Sequence, residues 1–233
     1  MTTGLYDAVS SMAAAEKRLD VIAQNLANSS APGFKRQVGA VNSFEEVVNG
    51  AVRRGQGLTT TIDYTQGALI ETGNELDLAL LGDGFFAFED GEESVYTRDG
   101  SLRLTEAGDL VSKAGRPIVW ENRSAQVRPD GEPVRVDTSG DVFQGNARLG
   151  KLRVVNFESY DKLFQDEHGF FHAPSDALEE VATAEVRAGT YEAANVQPVA
   201  EMVEMILAQR AYQSASNTVS QLADSYRRLT QAR

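Results

Sequence analysis

Cysteine is absent. That excludes disulfides, thiolate metal sites and a thiol nucleophile, and it suits a chain that crosses compartments unfolded. Histidine occurs only twice, at His168 and His172, so an imidazole-based relay has little to draw on. Basic residues are in the minority, 22 Lys and Arg against 34 Asp and Glu, for a net charge of −12. That balance argues against a nucleic-acid partner, which needs a basic patch to meet phosphates. No apolar run is long enough to cross a bilayer, so membrane insertion is not expected. The first twenty residues, MTTGLYDAVSSMAAAEKRLD, lack the basic n-region and continuous apolar stretch of a cleaved secretory signal. By that test the chain is cytosolic, but the test is blind to export routes that use no cleaved signal.

What remains is ordinary for a folded chain: 42% apolar and 24% charged residues over 233 positions, enough for one large domain or two small ones. Its most regular stretch is the last one, from Pro198. Apolar residues recur at Met205, Ala208, Tyr212, Ala215, Val219, Leu222, Tyr226 and Leu229. The gaps alternate three and four without a slip, the a/d seam of a left-handed coiled coil. Pro198 is tolerated in a first helical turn, where its missing N–H has no partner to lose. A second stripe, Val199, Val203, Ile206 and Leu207, lets this helix meet neighbours on more than one side. Residues 4–28 read as another helix, with Leu5, Met12, Leu19 and Leu26 seven apart and Ala8, Ala15 and Ile22 between them. Asn28 and the run Ser29-Ser30-Ala31-Pro32-Gly33 end it.

Between the helices the period changes. Turn pairs such as Asp83-Gly84, Asp90-Gly91, Asp99-Gly100 and Asp130-Gly131 separate short apolar or alternating runs, among them Phe85-Phe86-Ala87-Phe88 and Pro117-Ile118-Val119-Trp120. This is the pattern of an antiparallel β-meander. The expected fold class is α+β: long N- and C-terminal helices pairing as a coiled-coil-like rod domain, with a central antiparallel β-rich domain inserted between them. The expected divisions are an N-terminal helix and extended linker over 1–74, a β-domain over 75–185, and a C-terminal helix over 186–233.

Catalytic chemistry is hard to assemble from these residues. His168 and His172 lie beside Asp166 and Glu167, but residues four apart on a strand or turn are some 13 Å apart along it, so exposed turn histidines are expected rather than metal ligands. The carboxylates of Glu89-Asp90-Gly91-Glu92-Glu93 suit a solvated hairpin tip. Gly82-Asp83-Gly84 lacks the Lys and the following helix of a phosphate loop. Tyr96, Trp120, Tyr160 and the Phe85-Phe86-Phe88 run could stack on sugars of the cell wall, but core packing explains them as well. No catalytic site, cofactor, metal or small-molecule substrate is expected.

Several blocks carry a resemblance. Asn25-Leu26-Ala27-Asn28, closing a helix before Gly33-Phe34-Lys35, is similar to the N-terminal signature of the flagellar rod and hook protein family. Thr72-Gly73-Asn74-Glu75-Leu76-Asp77-Leu78, Gly84-Phe85-Phe86, Tyr96-Thr97-Arg98-Asp99-Gly100 and Glu192-Ala193-Ala194-Asn195-Val196 resemble its later blocks, in the family's order, over nearly the whole chain. Within the family the short length most resembles the proximal rod type, while Gln209-Arg210-Ala211-Tyr212 looks more like the distal rod type. The resemblance implies a structural subunit, passed through the flagellar export apparatus without a cleaved signal. It further implies axial polymerisation with other rod proteins in the part of the basal body that crosses the periplasm. The expected assembly interface is the two seams: Leu5, Met12, Leu19, Ile22 and Leu26, with Met205, Tyr212, Val219, Leu222, Tyr226 and Leu229. Asn25, Asn28 and Asn195 are expected to fix helix ends and turns by bonding to nearby backbone.

Overall fold

The computed structural model describes residues 2–48, 51–91, 93–166, 168–174 and 177–231. Helices at either end flank a central antiparallel β-rich region. The chain divides into two compact units. One combines Met1–Ser29, Arg36–Tyr64 and Val196–Arg233; the other combines Ser30–Lys35 with Thr65–Asn195.

The first unit contains helix α1 (Thr2–Ala27), strands β1 (Gln37–Val48) and β2 (Ala51–Ile62), and helix α2 (Pro198–Gln231). Helix α1 is rich in Ala, the best helix former, and free of Gly and Pro after Gly4. It stops where its last carbonyls find side-chain partners: Asn28 donates from its amide N–H (3.1 Å) and from Nδ2 (3.0 Å) to Gln24, and Ser29 Oγ donates to Leu26 O at 2.8 Å. Helix α2 opens at Pro198, with Glu201 in its first turn, where a carboxylate meets the positive end of the helix dipole. The two helices lie against each other and run antiparallel, since Arg18 meets Glu204 while Asn25 meets Glu201.

The stretch expected to be an extended linker is a hairpin. β1 and β2 pair antiparallel in unbroken register from Gln37↔Ile62 through Val41↔Leu58, and α1 packs on β2. A two-stranded ribbon is marginal alone; here a helix backs it. Gln56 N–H donates to Ser10 Oγ on that helix at 3.2 Å.

The second unit is built on a six-stranded sheet ordered Phe164–Gln165, Phe171–His172, Glu93–Thr97, Phe85–Asp90, Val154–Phe157, Glu179–Val181. The order departs from a meander, because Val154–Phe157 pairs along the far edge of Phe85–Asp90. The reason lies in that strand. Phe85, Phe86, Ala87 and Phe88 are all fully buried, so both faces need cover and an edge position is excluded. Leu78, Leu80, Phe86, Phe88, Val142 and Leu152 centre the core. The unit is wider than the expected 75–185, because Leu69–Glu71 pairs with Thr190–Glu192 through Thr190↔Glu71 and Glu192↔Leu69. Residues 30–35 also belong to it.

Candidate functional site

Two kinds of residue stand out, buried polar groups and helix faces. In the first unit Asn25 is completely buried. Its Nδ2 donates to Gln37 O at 2.7 Å and its Oδ1 accepts from Gln37 N–H at 2.8 Å. The side chain thus imitates a β-ladder partner and ties the start of β1 to the end of α1. Glu201, 1% exposed, accepts from Arg36 Nε at 2.5 Å and from Asn25 Nδ2 at 3.4 Å. One polar cluster therefore fastens the C-terminal end of α1 and the N-terminal end of α2 to the root of the hairpin.

The second unit has a comparable clasp. Lys35 is 1% exposed, and its Nζ donates to Glu192 Oε1 and to Thr65 O, each at 2.7 Å. Glu192 Oε1 also accepts from Gly67 N–H at 2.9 Å, and Arg98 lies 3.5 Å from Oε2. Arg98 donates to Gly82 O at 2.8 Å and sits over the Phe85 ring. Burial pulls its guanidinium below the ordinary value, and Glu192 opposes that shift. Gly33, at φ 68°, leads into Lys35; a Cβ there would lie 2.2 Å from Asp99 N, so only glycine fits. Phe34 is buried, and its carbonyl accepts from Asn195 N–H at 3.4 Å, while Asn195 Nδ2 donates to Thr65 O at 3.1 Å. The segment 30–35 is thus strapped across the strand pair that closes the unit.

The helix faces follow the period of α2. Ala208 is buried, and Met205, Tyr212, Ala215, Val219 and Leu222 are half-buried. At 100° per residue, Val199, Met202, Val203, Ile206 and Leu207 lie on the opposite side of the helix, and they are 76%, 51%, 53%, 51% and 51% exposed. Farther along, that outer face turns polar, with Arg210, Ser214, Asn217 and Gln221. On α1, Ile22 is buried and Met12, Leu19 and Leu26 are half-buried. The side chains of Leu5, Tyr226 and Leu229 lie outside the described residues.

Three family models match the chain. "Flagella basal body rod protein" covers residues 5–35, "Flagellar hook protein FlgE/F/G D1 domain" covers 79–144, and "Flagellar basal body rod FlgEFG protein C-terminal" covers 187–232. The flagellar basal-body rod protein FlgF of Mesorhizobium japonicum is 31% identical, over 97% of this chain and 95% of the relative. The chain belongs to the flagellar basal-body rod protein family. FlgF of Caulobacter vibrioides is 30% identical over 96% of the chain and 95% of its own length, and FlgG of Bacillus subtilis is 28% identical over 94% and 95%. The likeness to FlgF proteins therefore comes first and that to FlgG proteins second. As a member of this family the chain is a structural subunit of the flagellar rod.

The rod-family blocks resolve into structural roles. Asn25 belongs to the polar cluster of the first unit; Gly33, Phe34, Lys35 and Asn195 belong to that of the second, with Arg98 and Glu192, for which the sequence suggests no role. Asn28 bonds locally, as expected, whereas Asn25 and Asn195 reach backbone 12 and 130 residues away. Gly84 brings the chain into the core strand, where Phe85 meets Phe171, Tyr160 and Phe157 at ring-centroid distances of 5.2, 5.7 and 6.0 Å. Leu26 is half-buried, Ala27 is exposed at the end of α1, and Val196 is buried. Tyr96 and the three phenylalanines are buried, so they are not presented for stacking on a sugar.

Of the histidines, His168 is exposed in a turn, while His172 is half-buried, stacked on Phe164 at 4.9 Å and 3.4 Å from Asp166. Burial pushes Asp166 up, but the backbone N–H groups of Phe170 and His168, with His172 and Arg116, outweigh it and hold the carboxyl below its ordinary value. Asp166 is thus a turn anchor. Among the described residues no three His, Asp or Glu side chains converge as metal ligands; Glu92 and Glu167 lie outside that set. No described helix is long and apolar enough to cross a membrane.

Proposed function

We propose that this subunit joins the rod through its helical unit, with the outer stripe of α2 as the surface that neighbouring axial subunits cover. The observation that carries this reading is the row Val199, Met202, Val203, Ile206 and Leu207, five large apolar side chains each at least half open to water on one helix face. About half of each remains to be buried, worth roughly 1 kcal/mol apiece. One such contact is weak. A heterologous contact that does not close repeats in every subunit and builds a helical assembly.

On this reading α1 and α2 pair as a short antiparallel coiled coil through Met12, Leu19, Ile22 and Leu26 on one side and Met205, Tyr212, Val219 and Leu222 on the other. The chain is not an enzyme: it works by transmitting torque along the rod across the periplasm. It travels through the flagellar export apparatus without a cleaved signal. Its neighbours are other rod proteins, including further copies of itself, and it needs no cofactor, nucleic acid or small-molecule substrate.

The test is Leu207→Glu. A carboxylate on a face that must become dry is costly, so rod assembly and swimming are lost while the fluorescence of Trp120, in the second unit, stays native. Gln221→Glu, on the same face beyond the apolar row, leaves motility intact. Normal swimming of the Leu207→Glu strain removes the stripe from the interface.

A further inference from the structure

Charge is divided unevenly between the two units. The helical unit holds nine acidic and nine basic residues and is neutral overall. The β-rich unit holds 25 acidic and 13 basic residues, and so carries the entire net charge of −12. Many of its carboxylates stand in water, among them Glu75, Glu106, Glu158 and Glu185. The apolar stripe of α2 therefore belongs to the half of the molecule with no net charge, while like charge accumulates on the other half.

We infer that the β-rich unit sets an ionic-strength threshold for association between copies of this chain. The inference rests on the assembly reading above and adds its regulation. Two neutral helical units meet without net repulsion, and each brings its β-rich unit along, because single peptide links at 29–30, 35–36, 64–65 and 195–196 join the two. A unit of this size has a radius of gyration of about 14 Å, so two of them in contact have centres roughly 40 Å apart. The Debye length is about 10 Å at 0.1 M salt and about 30 Å at 0.01 M. At that separation about a quarter of the unscreened repulsion survives at the lower ionic strength, and almost none at the higher. Screened Coulomb repulsion between charges of this size makes association roughly a hundredfold weaker at 0.01 M than at 0.1 M. Association held by ion pairs across the interface has the opposite slope.

The experiment uses the purified full chain, in sedimentation velocity over a concentration series at 0.01 M, 0.1 M and 0.3 M sodium chloride. The wild type is expected to associate with an affinity that rises by about two orders of magnitude between the first two and then levels off. Replacing Glu75, Glu106, Glu158 and Glu185 together by Lys reduces the charge of the unit to about a third and the repulsion to about a ninth. This variant is expected to associate at 0.01 M almost as well as at 0.1 M, with native Trp120 fluorescence. An affinity that falls with salt, or an unchanged salt slope in the folded variant, overturns the inference and leaves the stripe standing. Absence of self-association at every ionic strength overturns the assembly of copies, and this inference with it. Leu207→Gln, which adds no charge, separates the two: it lowers affinity at all three salt concentrations without changing the slope.

Discussion

Lys35→Met tests the clasp of the β-rich unit most sharply. Met preserves length and apolar volume and removes only the ammonium. Two hydrogen bonds of 2.7 Å disappear, to Glu192 Oε1 and to Thr65 O. The carboxylate of Glu192 stays buried at 1% exposure, with Gly67 N–H at 2.9 Å and Arg98 at 3.5 Å as its remaining partners. Removing one partner of a buried ion pair costs about 3–5 kcal/mol. Arg98 still offsets part of the charge, so the lower end applies, about 3 kcal/mol. The only tryptophan, Trp120, lies in this unit, so its fluorescence follows this unit alone in a urea titration. With a slope of about 2 kcal/mol per molar, the midpoint falls by roughly 1.5 M. Lys113→Met, at an exposed position of the same unit, shifts it by less than about 0.3 M. A Lys35→Met midpoint no lower than that of Lys113→Met means that the clasp contributes nothing to the fold.

Three further outcomes follow from the same contacts. Asn25→Ala strips both backbone groups of Gln37 of their partner, costs the helical unit about 1–3 kcal/mol, and shows as faster hydrogen exchange at the Gln37 amide; unchanged exchange refutes the bridging role. Asp166 has a depressed pKa in the folded state, so its contribution is complete above the ordinary carboxylate value and is lost as pH falls through the lower folded value. Asp166→Asn therefore weakens the β-rich unit at neutral pH and flattens its stability profile below about pH 4; parallel acid profiles for variant and wild type count against this. Leu222→Glu, at a half-buried seam position, stops rod assembly and leaves Trp120 fluorescence native, whereas full motility of that strain breaks the pairing of the seams.

The helices and the β-rich middle were legible because their signals are local. An unbroken three–four alternation from Met205, Pro198 at a helix start, and Asn28 before Pro32-Gly33 each act within a few residues. The hairpin had a local signal too: Asn49-Gly50 stands between β1 and β2 in the sequence, the strongest two-residue hairpin cue. The flanking strands alternate too weakly for that pair to mark them as a ribbon. The polar clusters were not legible. Lys35 and Glu192 are 157 residues apart and Asn25 and Glu201 are 176 apart, and nothing in the composition of either segment announces its partner. The same distance effect hid the edges of the β-rich unit, which depend on the pairing of Leu69–Glu71 with Thr190–Glu192. Both apolar faces of α2 could be read from the period. Folding decides which one is covered: it half-buries the seam and leaves the shorter stripe open.

That open stripe carries the central claim, and the absence of cysteine makes it directly measurable. In a Leu207→Cys strain the introduced thiol is unique within the chain, and the strain must first be shown to swim. The measurement is the rate at which a small maleimide labels that thiol in the purified subunit and in rods isolated within intact basal bodies. Ready labelling of the free subunit and strong protection in the rod are the expected result. Equal rates in the two states would mean that no neighbour covers the α2 stripe, and would contradict the assembly surface proposed for this subunit.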